Sequence, residues 1–237
     1  RMMKKFAFIV GIFLICATGF DLSVKATTGN AAKPGRPYLQ IELVYNYDVY
    51  RRPLFFLPKS QPTFGIWIKD RESGRLESVF VTEKAARNDW NFADSRPESI
   101  PVWYGIREID KENNTFDVDA VSGATPKGNT AVIYWSIPAD LRDKTVDLYI
   151  EANNSFDFNA YYNKEKESSG FSGANGQPSV VWKAAIDFGG PSIENITPQI
   201  IGHGSVLGKT HQILTDTSNI TTASQTFQSI RISYFLH

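Results

Sequence analysis

The residues of this chain whose types and spacing could do chemistry gather in one short run, Asp119-Ala120-Val121-Ser122-Gly123-Ala124-Thr125, followed by Pro126-Lys127-Gly128. Two hydroxyls, those of Ser122 and Thr125, stand among residues too small to shield them, with a carboxylate ahead of both. Such a run has two readings. As a turn, Gly123 and Gly128 supply positive φ, Pro126 fixes its own φ, and the hydroxyls cap local backbone groups. As a site, Thr125 presents its hydroxyl on that turn, Gly123 and Ala124 leave clearance around it, and Asp119 orients the loop or helps hold a metal.

Other constellations are weaker. His203 and His211 flank a glycine-rich stretch, Gly202-His203-Gly204-Ser205 with Gly208, and with Asp216 they form a candidate metal set. Against it stands a plain glycine loop with incidental imidazoles. The stretch fails as a phosphate loop, because no Lys-Ser/Thr pair follows the glycines, and no G-x-S-x-G elbow exists for a hydrolase. Asn153, Asn154, Asp157 and Asn159 offer oxygen ligands, but their order departs from the calcium-loop template, and Asx turns account for them. Trp103, Trp135 and Trp182 could stack on a flavin or a sugar; core packing is the ordinary role.

The form D-x-x-[ST]-G-A-T at 119–125 resembles the attachment signature of extracytoplasmic FMN-binding proteins. The resemblance implies FMN linked by a flavin transferase to the Thr125 hydroxyl through a phosphoester, with Asp119 in the acidic role and Ser122, Gly123 and Ala124 forming the surrounding turn. It further implies electron exchange with a membrane redox protein. A chance match over this length is expected about once in a thousand such chains. The segments Arg96 to Trp103, Asp119 to Gly128 and Val146 to Asn159 are similar, in this order, to an uncharacterised family of predicted periplasmic proteins with a domain of unknown function. Members of that family look like companions of membrane flavoproteins. The stretch from Tyr161 to Gly176 departs from the family pattern.

The N-terminal residues bear on where such chemistry would happen. Lys4 and Lys5 precede an apolar run from Phe6 to Phe20, and Val24-Lys25-Ala26 supplies a small-residue cleavage pattern, so residues 1–26 read as a secretory signal cut after Ala26. The apolar run is short for a bilayer span. The expected location is the periplasm or the cell surface. The only cysteine, Cys16, leaves with the signal, which excludes disulfides, thiolate nucleophiles and cysteine metal ligands from the mature protein. Residues 1–26 carry Arg1, Lys4, Lys5, Lys25 and Asp21, so the remainder holds 21 basic and 24 acidic residues. That balance argues against nucleic acid or an anionic membrane surface as the partner.

The elements that must position these residues read as strands. After a turn-rich leader at 27–37, β-branched and aromatic runs occupy Tyr38 to Tyr47, Thr63 to Asp70, Leu76 to Glu83, Thr130 to Ser136, Thr145 to Ala152, Ser179 to Phe188 and Ser229 to Phe235. Asp70 to Gly74 reads as a hairpin turn, Glu83 to Trp90 as a short helix and Arg96 to Pro101 as a loop after which strands resume. Thr130 to Ser136 and Thr145 to Ala152 are expected to pair, with Ile66, Ile68, Val132, Tyr134, Val146, Leu148, Ile150, Val181 and Ile230 facing one core. The polar stretch 153–178 reads as a surface excursion. The pattern predicts an all-β, immunoglobulin-like antiparallel sandwich, a single domain over 38–237. Two functions fit it: an exported redox accessory protein carrying FMN on Thr125, or a non-catalytic binding or structural module.

Overall fold

The fold is that of a computed structural model, which describes residues 23–27, 35–52, 59–90, 93–112, 117, 122–123 and 128–236. In chain order the strands are β1 (Ser23–Thr27), β2 (Tyr38–Tyr45), β3 (Thr63–Asp70) and β4 (Leu76–Thr82). Helices α1 (Glu83–Arg87) and α2 (Pro101–Glu112) follow. Then come β5 (Ser122–Gly123), β6 (Thr130–Ser136), β7 (Thr145–Asn153) and β8 (Val180–Asp187). The chain closes with β9 (Ile193–Ile196), β10 (Gln199–His203) and β11 (Phe227–Phe235). They form two sheets, one ordered β1-β6-β2-β11-β9 and the other β10-β8-β7-β3-β4-β5. All pairs are antiparallel except β1 with β6 and β4 with β5. The protein is an all-β sandwich, as its alternating pattern requires. No helix among the described residues is long and apolar enough to cross a membrane.

The period-2 alternation explains the core. Along β2, Leu39, Ile41, Leu43 and Tyr45 are buried while Tyr38, Gln40, Glu42 and Val44 between them are half-buried. They meet Ile66, Ile68, Leu148 and Ile150 from the facing sheet in one cluster. Each such side chain contributes about 1.5–3 kcal/mol by leaving water.

Three expectations about the strands change. The strands over 130–136 and 145–153 do not pair: β6 lies beside β2, and β7 lies between β3 and β8 in the other sheet. The Pro138–Leu141 connection therefore crosses between layers rather than closing a hairpin. The phase of β6 is also inverted. Ala131, Ile133 and Trp135 enter the main core, with Ile133 opposite Ile41, while Val132 and Tyr134 lie outside it. A run as uniformly apolar as TAVIYWS has no phase of its own, and the partner strand sets it. Val181 faces a second core on the outer side of its sheet.

That second core exists because of α2, which lies where the sequence suggests renewed strand. Pro101 opens it at a position whose missing N–H costs nothing. Val102, Trp103 and Ile106 are buried against the sheet, while Glu108, Lys111 and Glu112 are exposed. The helix packs Trp103 onto Gly65 of β3, where a Cβ would stand 2.8 Å from Trp103 Cγ.

The 153–178 stretch, expected as a surface excursion, is in part buried. Asn153, Asn154, Asp157, Asn175 and Gln177 are all buried. Asp157 accepts hydrogen bonds from Gln177 Nε2 at 2.9 Å and Thr222 Oγ1 at 2.6 Å, tying the segment to the loop before β11. Most polar groups in this corner are satisfied by one another, although Asn153 Oδ1 and Asn154 Oδ1 are buried without a hydrogen-bond partner.

Candidate functional site

The site begins at β5. Ser122 and Gly123 pair in parallel with Val81 and Thr82 at the edge of the β4 sheet. Gly123 must be glycine there: a Cβ would stand 2.7 Å from Cε2 of Phe80, whose ring is fully buried. The chain next enters the described residues at Gly128, whose φ of 133° lies in the region that favours glycine, and Thr130 opens β6 in the opposite sheet. Asp119, Ala124 and Thr125 lie outside the described residues. The segment thus leaves one sheet at Gly123 and joins the other at Thr130.

Around its far end stand two residues that motif reading missed. The half-buried Tyr47 donates its hydroxyl to the Gly128 carbonyl at 2.5 Å. The exposed Lys59 ammonium donates to the Tyr47 backbone carbonyl. Tyr47 packs edge-on against Tyr50 at 5.1 Å, and Tyr50 is buried with its hydroxyl on Thr226 O at 2.8 Å. Nothing local in sequence links Tyr47 to Gly128; only the β2–β6 pairing brings them together.

On the outer face of the β3–β7 pair, a groove of about 540 Å3 separates α2 from the sheet. Trp67 and Tyr149 stack in parallel along it, centroids 5.3 Å apart and planes 4° apart. Ile106 and Ile109 wall it from α2, and Lys69, Glu112 and His211 stand at its rim. Tyr149 also carries the Lys183 ammonium at 5.4 Å, and Lys183 is held by Asp147 at 2.8 Å. Burial tends to raise the Asp147 pKa, but bonds from Arg71 and Lys183 outweigh it and hold the carboxyl below its ordinary range.

Under the start of α2 lies a buried carboxylate. Glu151 Oε2 accepts the Trp103 N–H at 2.8 Å; Oε1 accepts the Val102 N–H at 3.2 Å and the Ser179 hydroxyl at 2.6 Å. Ile100 and Pro101 offer no capping side chain, so Glu151 of β7 supplies the cap from across the fold. Burial is the first cause that moves its pKa, and it outweighs the three donors, pushing the group up to about 7.

The histidine set separates into two structural roles. His203 is buried, with Nδ1 2.8 Å from Gly204 O; His211 is exposed, with Nδ1 2.7 Å from Pro101 O. A carbonyl only accepts, so both rings carry hydrogen on Nδ1. Gly105 lets the His211 loop close on α2, since a Cβ there would stand 2.5 Å from His211 Cβ. Asp216 is exposed, and the Ser218 backbone N–H holds its carboxyl below the usual range. Among the described residues no three His, Cys, Asp or Glu side chains gather as a metal site.

Asn159 likewise serves structure, donating to Asn219 O at 2.9 Å and accepting the Tyr161 and Tyr162 N–H groups. Trp103, Trp135 and Trp182 are all buried in the two cores. No family model, curated protein or solved structure matches the chain.

Proposed function

We propose that this protein is an exported redox accessory domain that carries FMN covalently on Thr125 for extracytoplasmic electron transfer. The observation that carries the reading is the D-x-x-S-G-A-T run at 119–125 behind an export signal. The attachment forms one phosphoester bond at Thr125 Oγ. The hydroxyl proton and the leaving group of an activated flavin nucleotide depart, and no oxidation state changes.

The surroundings suit such a group in part. The Tyr47 hydroxyl holds Gly128, three residues past the run, and the Lys59 ammonium on the Tyr47 carbonyl is a cation that could offset phosphate charge. Trp103, Trp135 and Trp182, buried in the cores, offer no face to an isoalloxazine, so the covalent bond rather than a tryptophan stack would hold the flavin. FMN bound there would supply one- and two-electron chemistry. Partners in this reading are a flavin transferase and a membrane redox protein.

Co-expression with a flavin transferase is expected to raise the intact mass by one FMN less water and to colour the protein yellow. An unmodified mass under those conditions overturns the reading.

The groove beside α2 favours a second reading, a non-catalytic binding module. Its mark would be a ligand that shifts Trp67 fluorescence equally in the wild type and in Thr125→Ala.

A further inference from the structure

Helix α2 leaves one apolar position uncovered. Val102, Ile106 and Ile109 recur at the spacing of a single helical stripe, and the first two are buried while Ile109 stays 49% exposed. Ile109 lines the groove that it shares with the stacked pair of Trp67 and Tyr149. At about 540 Å3 the groove has the size of a small-molecule site, and a mostly apolar lining with a few polar groups at the rim is the usual make-up of such sites.

The rim chemistry narrows the ligand. Glu108 is already held by Arg107 at 3.0 Å and by Lys111 at 3.5 Å. Among the described residues no ion pair holds the Lys69 ammonium or the Glu112 carboxylate, and both side chains are exposed. His211 gives its Nδ1–H to Pro101 O, which leaves Nε2 of the neutral ring as an acceptor. One cationic donor and two acceptors, one of them anionic, therefore border an apolar cleft.

We propose that this groove binds a free amino acid with an apolar side chain. Its carboxylate is met by Lys69, its ammonium by Glu112 and His211, and its side chain lies against Ile106, Ile109 and the Trp67–Tyr149 pair. Bonds between opposite charges are the strong ones, and only a zwitterionic head answers both signs at the rim. A fatty acid or an apolar amine answers one and leaves the other beside its own apolar body. The proposal rests on the binding-module reading and needs no flavin on Thr125.

The test titrates the whole chain by calorimetry with three probes that share one body: phenylalanine, phenylpropanoate, which lacks the amine, and phenylethylamine, which lacks the carboxylate. The expected result is saturable binding of phenylalanine, with each analogue about tenfold weaker. Lys69→Gln should erase the preference over phenylethylamine, and Glu112→Gln should reduce the preference over phenylpropanoate. Both positions are exposed, so both variants keep the fold. An analogue that binds as tightly as phenylalanine overturns the proposal and leaves a binding module for another ligand class. Preferences that survive both substitutions also overturn it, because the head is then read elsewhere. Binding of none of the three overturns it and, with it, the use of this groove for a small apolar ligand.

Discussion

Trp103 of α2 lies directly on Gly65 of β3, with its indole N–H donated to Ser78 Oγ at 3.1 Å. This one contact fixes how the helix sits on the sheet, because the glycine admits the ring and the serine orients it. Gly65→Ala is expected to cost about 1–3 kcal/mol by overpacking, and Trp103→Ala about 3–5 kcal/mol by leaving a cavity. Urea unfolding of both variants checks this. Because both act on one contact, the double variant should cost less than the sum.

Glu151 makes stability depend on pH. Its folded pKa is raised, to about 7 from an ordinary 4.5, so the folded protein holds this proton more tightly than the unfolded chain. The contribution is therefore complete below about 4.5 and is lost as pH rises through about 7. Glu151→Gln cannot titrate, and its stability should fall less steeply than wild type across that window. Parallel curves of unfolding free energy against pH would show that the group does not titrate there.

Thr125 separates the two functional readings. Under co-expression with a flavin transferase, Thr125→Ser should still gain mass and Thr125→Ala should not. The binding-module reading expects both to unfold within about 0.5 kcal/mol of wild type. Mass spectrometry and a thermal melt on the same samples decide it.

Gly123→Ala probes the β4–β5 pairing. Phe80 is stacked on Phe64 at 5.3 Å and has little room to yield to a new methyl. A loss of about 1–3 kcal/mol is expected, together with weaker protection of the Val81 and Thr82 amides in hydrogen exchange.

Asp157→Ala should remove the acceptor of the Thr222 O–H and of one Gln177 N–H, while Gln177 keeps its bonds to Thr222 Oγ1 and Thr221, costing about 1–3 kcal/mol per unsatisfied group. Faster proteolysis within 153–178 would accompany the loss, and an unchanged cleavage rate would show that this network does not anchor the segment.

Sequence alone determined the sandwich, because apolar residues recur at every second position in Phe64, Ile66 and Ile68 and in Val146, Leu148 and Ile150, which gives each strand an inward face; that the outer face is largely buried too was decided by α2. It also made the 119–125 run visible, since a motif is a local property. The sheets were decided by tertiary structure: the strands over 130–136 and 145–153 look like a hairpin, yet each finds its partner far along the chain. The helix α2 was hidden for a related reason. Val102, Trp103 and Tyr104 favour strands, Gly105 weakens a helix, and its cap is Glu151, supplied from another strand. Alternation puts Glu151 on the outer face with Asp147 and Tyr149, where a carboxylate is expected to meet water. Only the packing of α2 over that face turns it into a buried group with three donors, because burial belongs to what covers a residue and not to the residue itself.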